Sequence, residues 1–165
     1  MILRNAGFSD RQLFFDLRND ADAVRFSYTK RGVTWYEHNV WWDSTSDQLF
    51  VAETRCLKRP NKDMLDYLET DYWDDKNWEN RKVGYVRLTP IDESTCELHF
   101  AVTPEERGKG WAVEMLAEAR TVAADLGYKH IIARVDVPNT PSIRAFLREG
   151  YQITSAGTLF LERNV

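Results

Sequence analysis

A chain of 165 residues supports one ordinary hydrophobic core, so a single domain spanning 1–165 is expected. Hydrophobic residues at 43% and charged residues at 29% exclude intrinsic disorder, and a formal net charge of −4 argues against a protein built to grip nucleic acid or an anionic membrane. No apolar run is long enough to span a bilayer, Met1-Ile2-Leu3 meets Arg4 before a signal-peptide core forms, and Cys56 and Cys96 lack both metal-ligand spacing and the number a disulfide framework needs; a cytoplasmic, reduced protein without a metal is expected.

In chain order, residues 1–45 predict a short strand followed by helices. Ser9 or Asp10 can cap a helix whose apolar stripe holds Leu13, Phe14 and Leu17. Thr34-Trp35-Tyr36-Glu37 is a capping-box pattern, with Trp41 and Trp42 downstream to pack inward. A strand around Gln48–Cys56 follows. Residues 57–80 are an insertion in which acidic residues from Asp63 to Glu79 alternate with Tyr67, Tyr72, Trp73 and Trp78. An amphipathic surface segment explains it plainly; a lid or subunit contact is the sharper reading, because aromatics in an acidic loop make poor solvent-facing residues.

The second half is more regular. Val83–Leu88 and Thr95–Thr103 predict consecutive strands, Gly108–Leu126 a helix with Met115, Leu116, Ala119 and Ala123 at helical spacing, and Gly127 its stop. His130–Val135 predicts a strand, Thr140–Arg148 a helix ended by Gly150, and Tyr151–Thr154 and Thr158–Glu162 two more strands. The alternation implies an α/β (or α+β) fold: a single mixed, partly parallel twisted sheet flanked by helices.

Chemistry concentrates between Val102 and Ala112. A strand ends, a loop carries Arg107, Gly108, Lys109 and Gly110, and an amphipathic helix begins. Helix-start amides lack intrahelical partners and carry the positive dipole end, which suits an anion; that contribution is roughly 0.3–2 kcal/mol. Glycines admit close backbone approach, and Arg107 and Lys109 add full charge. A phosphate-binding P-loop is excluded because no Ser or Thr follows Lys109 and no Gly stands at the required offset; a dinucleotide fingerprint lacks its third small residue. An ordinary strand-to-helix loop remains the plain alternative. Upstream, strand alternation puts Cys96, Leu98, Phe100 and Val102 on one face and Glu97, His99 and Ala101 on the other. An acid and an imidazole two positions apart, beside an anion loop, form a candidate proton-handling pair; a solvent-facing Glu/His pair is the plain alternative.

The run Arg107-Gly-Lys-Gly110-Trp-Ala112 resembles the acyl-CoA pyrophosphate loop of the GNAT superfamily of N-acetyltransferases. Asn139-Thr-Pro-Ser142-Ile143-Arg-Ala-Phe146-Leu-Arg-Glu-Gly150-Tyr151 is similar to that family's second signature, and the two together cover roughly residues 83–155. The resemblance implies an acetyl-CoA-dependent enzyme with the cosubstrate in a wedge between the strands at 95–103 and 130–136. It places the pantetheine amides on backbone near Ala101 and Val102, the pyrophosphate on the amides of Gly108, Lys109, Gly110, Trp111 and Ala112, and Asn139 and Ser142 toward the pantetheine or phosphate portion. It also implies Glu97 as general base for a primary amine; from strand alternation His99 is the second candidate. Phe146 occupies a position where many members carry a tyrosine acid, so that role is not transferred; water, Tyr85 or Tyr151 are the alternatives.

The N-terminal helices resemble the branch that acetylates nucleotide-linked amino sugars, giving Arg18, Asn19, Tyr28, Trp35 and His38 as candidate acceptor contacts; capping and packing are the plain reading of these residues. A small-molecule amine is the expected partner, with a homodimer an option. A protein N-terminus, a lysine or a polyamine is the alternative acceptor, and a non-catalytic acyl-CoA-binding module is the alternative from another class.

Overall fold

The computed structural model describes residues 1–27, 29–57, 78–155 and 159–164. The chain order is β1 (Ile2–Asn5), α1 (Arg11–Asn19), α2 (Ala21–Phe26), α3 (Trp35–Ser44), β2 (Gln48–Leu57), β3 (Trp78–Pro90), β4 (Thr95–Val102), α4 (Trp111–Asp125), β5 (His130–Val135), α5 (Thr140–Arg148), β6 (Gln152–Ser155) and β7 (Leu159–Asn164). All strands join one sheet in the order β1-β2-β3-β4-β5-β7-β6, antiparallel except for the β4–β5 pair. The single mixed, partly parallel sheet expected from the sequence is therefore present.

Local chemistry accounts for most boundaries. Thr34 and Glu37 form both arms of the expected capping box at α3. Gly127 (φ 90°) turns the chain out of α4 in the left-handed region. Asp10 stands at the N-cap of α1 but does not cap it. Its buried carboxylate is taken instead by Arg4, Lys82 and the Gly7 amide, tying β1 and β3 to the start of α1.

β3 is longer than its apolar pattern suggested. The polar residues from Trp78 to Lys82 extend it because they pair with β2, down to Leu57 opposite Trp78. Both ends of the expected 57–80 insertion are thus strand, and residues 58–77 lie outside the described residues. The core lies on one sheet face, where Val86, Leu88, Cys96 and Leu98 pack with Met115, Leu116 and Ala119 of α4 and Phe146 of α5. The opposite face carries Tyr85, Arg87, Glu97 and His99 and is covered by α1 and α3: Phe14 stacks on Tyr85 at 4.3 Å, and Trp41 lies under the Arg87 guanidinium.

Candidate active site

The parallel ladder between β4 and β5 is short. Thr95, Cys96 and Glu97 face His130, Ile131 and Ile132, and beyond Glu97 the strands part. The gap is a cavity of about 770 Å³ bounded by His99–Val102 on one side, Arg134 and Val135 on the other, and Gly108, Gly110 and Trp111 at one end. Thr103 donates its N–H to Val83 on the β3 side, so the preceding Val102 carbonyl points into the gap. The wedge expected between these two strands exists as open strand edge facing a cavity.

The loop after β4 is pinned by a residue the sequence reading passed over. Glu106 is buried and accepts from Arg81, from Lys109 Nζ and from Trp111 Nε1 at 2.9 Å, which holds its carboxyl below the ordinary range. Lys109 is not among the residues that border the cavity, and its ammonium is already paired with Glu106. Arg107 does border the cavity, but its guanidinium is spent on Asp20 and Asp22, and its Nε donates to the Val102 carbonyl at 3.3 Å. What remains for an anion within this loop is main chain. Gly108 (φ 76°) and Gly110 (φ 90°) hold left-handed conformations, and no atom stands within 4 Å of where a side chain would begin. The N-terminal amides of α4 at Trp111 and Ala112 open onto this space. Asn139 caps α5 through the Ser142 amide, and both residues line the cavity, as does Phe146.

Glu97 and His99 share a face as alternation requires, but they stand differently toward the cavity. His99 borders the cavity; Glu97 stands behind it, 4% exposed, with Oε1 3.4 Å from His99 Nε2. Arg134 grips the Glu97 carboxylate with two nitrogens. Burial pushes the Glu97 carboxyl up, but the Arg134 hydrogen bonds, His99 and Arg87 outweigh it and leave the group below its ordinary value. His99 is pushed down to about 4, first by burial and then by Arg87, so its ring is neutral at pH 7. Tyr85 lines the cavity opposite Ala101, and burial raises its phenol, which stays protonated. Tyr151 is buried against Phe146 and does not border the cavity.

Of the acceptor candidates among the described residues, the structure brings only Arg18 to the cavity. Asn19 is consumed locally: Oδ1 accepts from the Val33 amide and Nδ2 donates to the Phe15 carbonyl, clasping the loop before α3 to α1. His38 is a packed histidine. Its Nε2 contacts the Arg11 carbonyl at 3.0 Å among Phe15, Trp35, Trp41 and Trp42, and burial lowers its basicity. Trp35 packs edge-on against Phe15, away from the cavity. Tyr28 lies outside the described residues.

Arg134 was missed, although an arginine within the apolar run His130–Val135 is itself a signal. Arg87, on the face shared with Glu97, enters by the same alternation. Among the described residues no group of three or more His, Cys, Asp or Glu could hold a metal ion, and no helix is long and apolar enough to cross a membrane.

Residues 1–152 match the family model described as an acetyltransferase (GNAT) domain. No curated protein matches the chain. Among solved structures, a domain from Methanocaldococcus jannaschii DSM 2661 superposes with a TM-score of 0.77 at 24% identity over 99% of this chain and 97% of that one. Phosphinothricin acetyltransferase from Sinorhizobium meliloti in complex with AcCoA gives 0.70 at 17% identity, covering 99% and 87%. Spermidine N-acetyltransferase from Vibrio cholerae in complex with CoA and spermine gives 0.67 at 15%, covering 98% and 91%.

Proposed function

The chain belongs to the GNAT acetyltransferase family, and we propose that it moves an acetyl group from acetyl-CoA to the primary amine of a small molecule, with His99 and Glu97 handling the amine's proton. The observation that carries this reading is the parting of β4 from β5 onto the N-terminus of α4, which joins an open strand edge to an anion-binding helix start in one cavity.

The residues present fit the cosubstrate. The α4 amides, bare of side chains at Gly108 and Gly110, suit a pyrophosphate, and the Val102 edge of β4 suits the amides of a pantetheine arm once Arg107 releases that carbonyl. Asn139 and Ser142 border the same channel. Acetyl-CoA supplies a thioester, whose acetyl carbon reacts with a neutral amine and not with an ammonium ion.

The chain's own groups act on the proton. A neutral His99 can accept it, and the Glu97 carboxylate at 3.4 Å stabilises the imidazolium that results. Arg134 fixes Glu97 in that position. The protonated Tyr85 phenol, across from Ala101, borders the same cavity and would donate to a departing thiolate, the role that Phe146 cannot fill. For the acceptor, the N-terminal helices resemble enzymes acting on nucleotide-linked amino sugars, while one fold neighbour is a spermidine N-acetyltransferase.

Calorimetry with acetyl-CoA should give micromolar affinity, about −8 kcal/mol. Gly110→Glu forces a side chain into a left-handed backbone and brings negative charge to the anion site. It should weaken binding at least about tenfold, a loss of about 1.4 kcal/mol, with the circular dichroism spectrum retained. Unchanged affinity would remove this loop from the site.

A further inference from the structure

We infer that this acetyltransferase selects a small amine that also carries an anionic group, recognised by Arg18 and Arg87. The inference rests on the acetyl-transfer reading above and names its acceptor.

Arg18, Arg87 and Arg134 all border the cavity beside Tyr85 and His99. Their convergence follows from the fold. Arg87 pairs directly with His99 across β3 and β4. Phe14 lies flat on Tyr85, so Arg18, one helical turn further along α1, stands over the same part of β3.

The charges there do not cancel. Glu97 answers Arg134. Besides its stacking on Trp41, Arg87 has a long ion pair, Nε to Asp47 at 3.6 Å, and that nitrogen is buried without a hydrogen-bond partner. Arg18 makes no hydrogen bond or ion pair among the described residues. The acidic groups that border the cavity are already engaged: Asp22 by Arg107, Asp136 by Lys30, Glu106 by Arg81 and Lys109.

A polyamine would therefore bring a second ammonium to guanidinium groups, with no unpaired carboxylate among the described residues that border the cavity to receive it. A carboxylate or phosphate matches the fork of donors that a guanidinium presents, and enclosure strengthens the pairing. The neutral His99 remains next to Arg87, so an anion held by the arginines leaves the amine of the same molecule within reach of the base.

The test uses the full chain with bound CoA and calorimetry, followed by thiol release with acetyl-CoA. Three acceptor sets are compared: free amino acids (carboxylate), a nucleotide-linked amino sugar (diphosphate) and spermidine (no anion). Binding and turnover by either anionic set above spermidine is expected, and which set responds identifies the anion. Arg18→Glu should raise KM for that acceptor about tenfold or more, the worth of a charge-assisted hydrogen bond, with kcat within about threefold. Arg18→Lys should restore much of the loss, and acetyl-CoA affinity should not move.

Preference for spermidine, or an Arg18→Glu variant with unchanged preference, overturns the inference. So does failure of both anionic sets to bind a protein that still binds acetyl-CoA. Failure to bind acetyl-CoA itself overturns the acetyl-transfer reading as well.

Discussion

His99 offers the cavity a neutral imidazole because the surrounding cations and burial resist a further positive charge. In the proposed role such a base is in the accepting form at pH 7 but weak, so its catalytic contribution would belong at the low end of the general-base range. His99→Gln should lower kcat about 10²-fold at pH 7, with the deficit shrinking as pH approaches that of the free amine. Glu97→Gln should cost less, because the imidazole remains and only its stabilising carboxylate is lost. Tyr85→Phe should lower kcat without changing acetyl-CoA affinity. NMR of the ring should show His99 neutral well below pH 6, where an ordinary histidine is protonated. A ring that titrates near 6.5, with equal losses in both acid–base variants, would return the base to Glu97. Strand alternation made it legible that Glu97 and His99 share a face. Which one meets the cavity was not, because that depends on Arg134 arriving from a strand 37 residues later. Asn19 and His38 show the same limit: their polar atoms are satisfied by carbonyl and amide groups that only the folded loop brings near.

At the scale of elements, β3 and β4 must lie close before β4 and β5 can part. A Cβ at Gly84 would stand 2.1 Å from the Ala101 carbonyl oxygen and 3.1 Å from Met115 Cε, so this glycine serves close approach. Gly84→Ala should destabilise the fold by about 3 kcal/mol, the upper part of the overpacking range, since backbone and not a flexible side chain must yield. The displaced Ala101 borders the cavity, so acetyl-CoA affinity should fall along with the melting temperature; a fall in neither would show that the strands accommodate a methyl freely. Periodicity and stop signals made most elements legible: His130–Val135 and Thr140–Arg148 keep their expected limits, and β4 differs by one residue. The extension of β3 to Trp78 was hidden because its outer residues are polar and gain their order from pairing with β2. The three-residue parallel ladder has no sequence signature, since alternation reads the same in a paired strand and a splayed one.

For the whole molecule, most resolved titrations push stability the same way at low pH. His38 and His99 are buried neutral, so their folded-state values lie below the unfolded value of about 6.5. As pH falls below that value the unfolded chain takes up protons that the folded chain refuses, and stability drops. Asp10, Asp20, Glu97 and Glu106 have carboxyls held below their ordinary values; their contribution is complete above the unfolded range near 4 and is lost as pH falls through the lower folded values. Asp10 matters most, because its carboxylate is buried and joins Arg4 and Lys82 across three elements. On the alkaline side, Tyr85 and Cys96, whose thiol burial pushes up to about 12, are raised. The unfolded chain then ionises first, and stability falls again as pH rises past about 9. Thermal melts from pH 3 to 10 should therefore show a plateau between about 6.5 and 9, a shallow decline from 6.5 to about 4, and a steeper one below. Asp10→Asn keeps the shape but removes the carboxylate. It should lower the plateau and flatten the steep acid limb, because one proton-linked group has gone. A variant curve that runs parallel to the wild type through the acid range would show that the Arg4–Asp10–Lys82 network is not what acid dismantles.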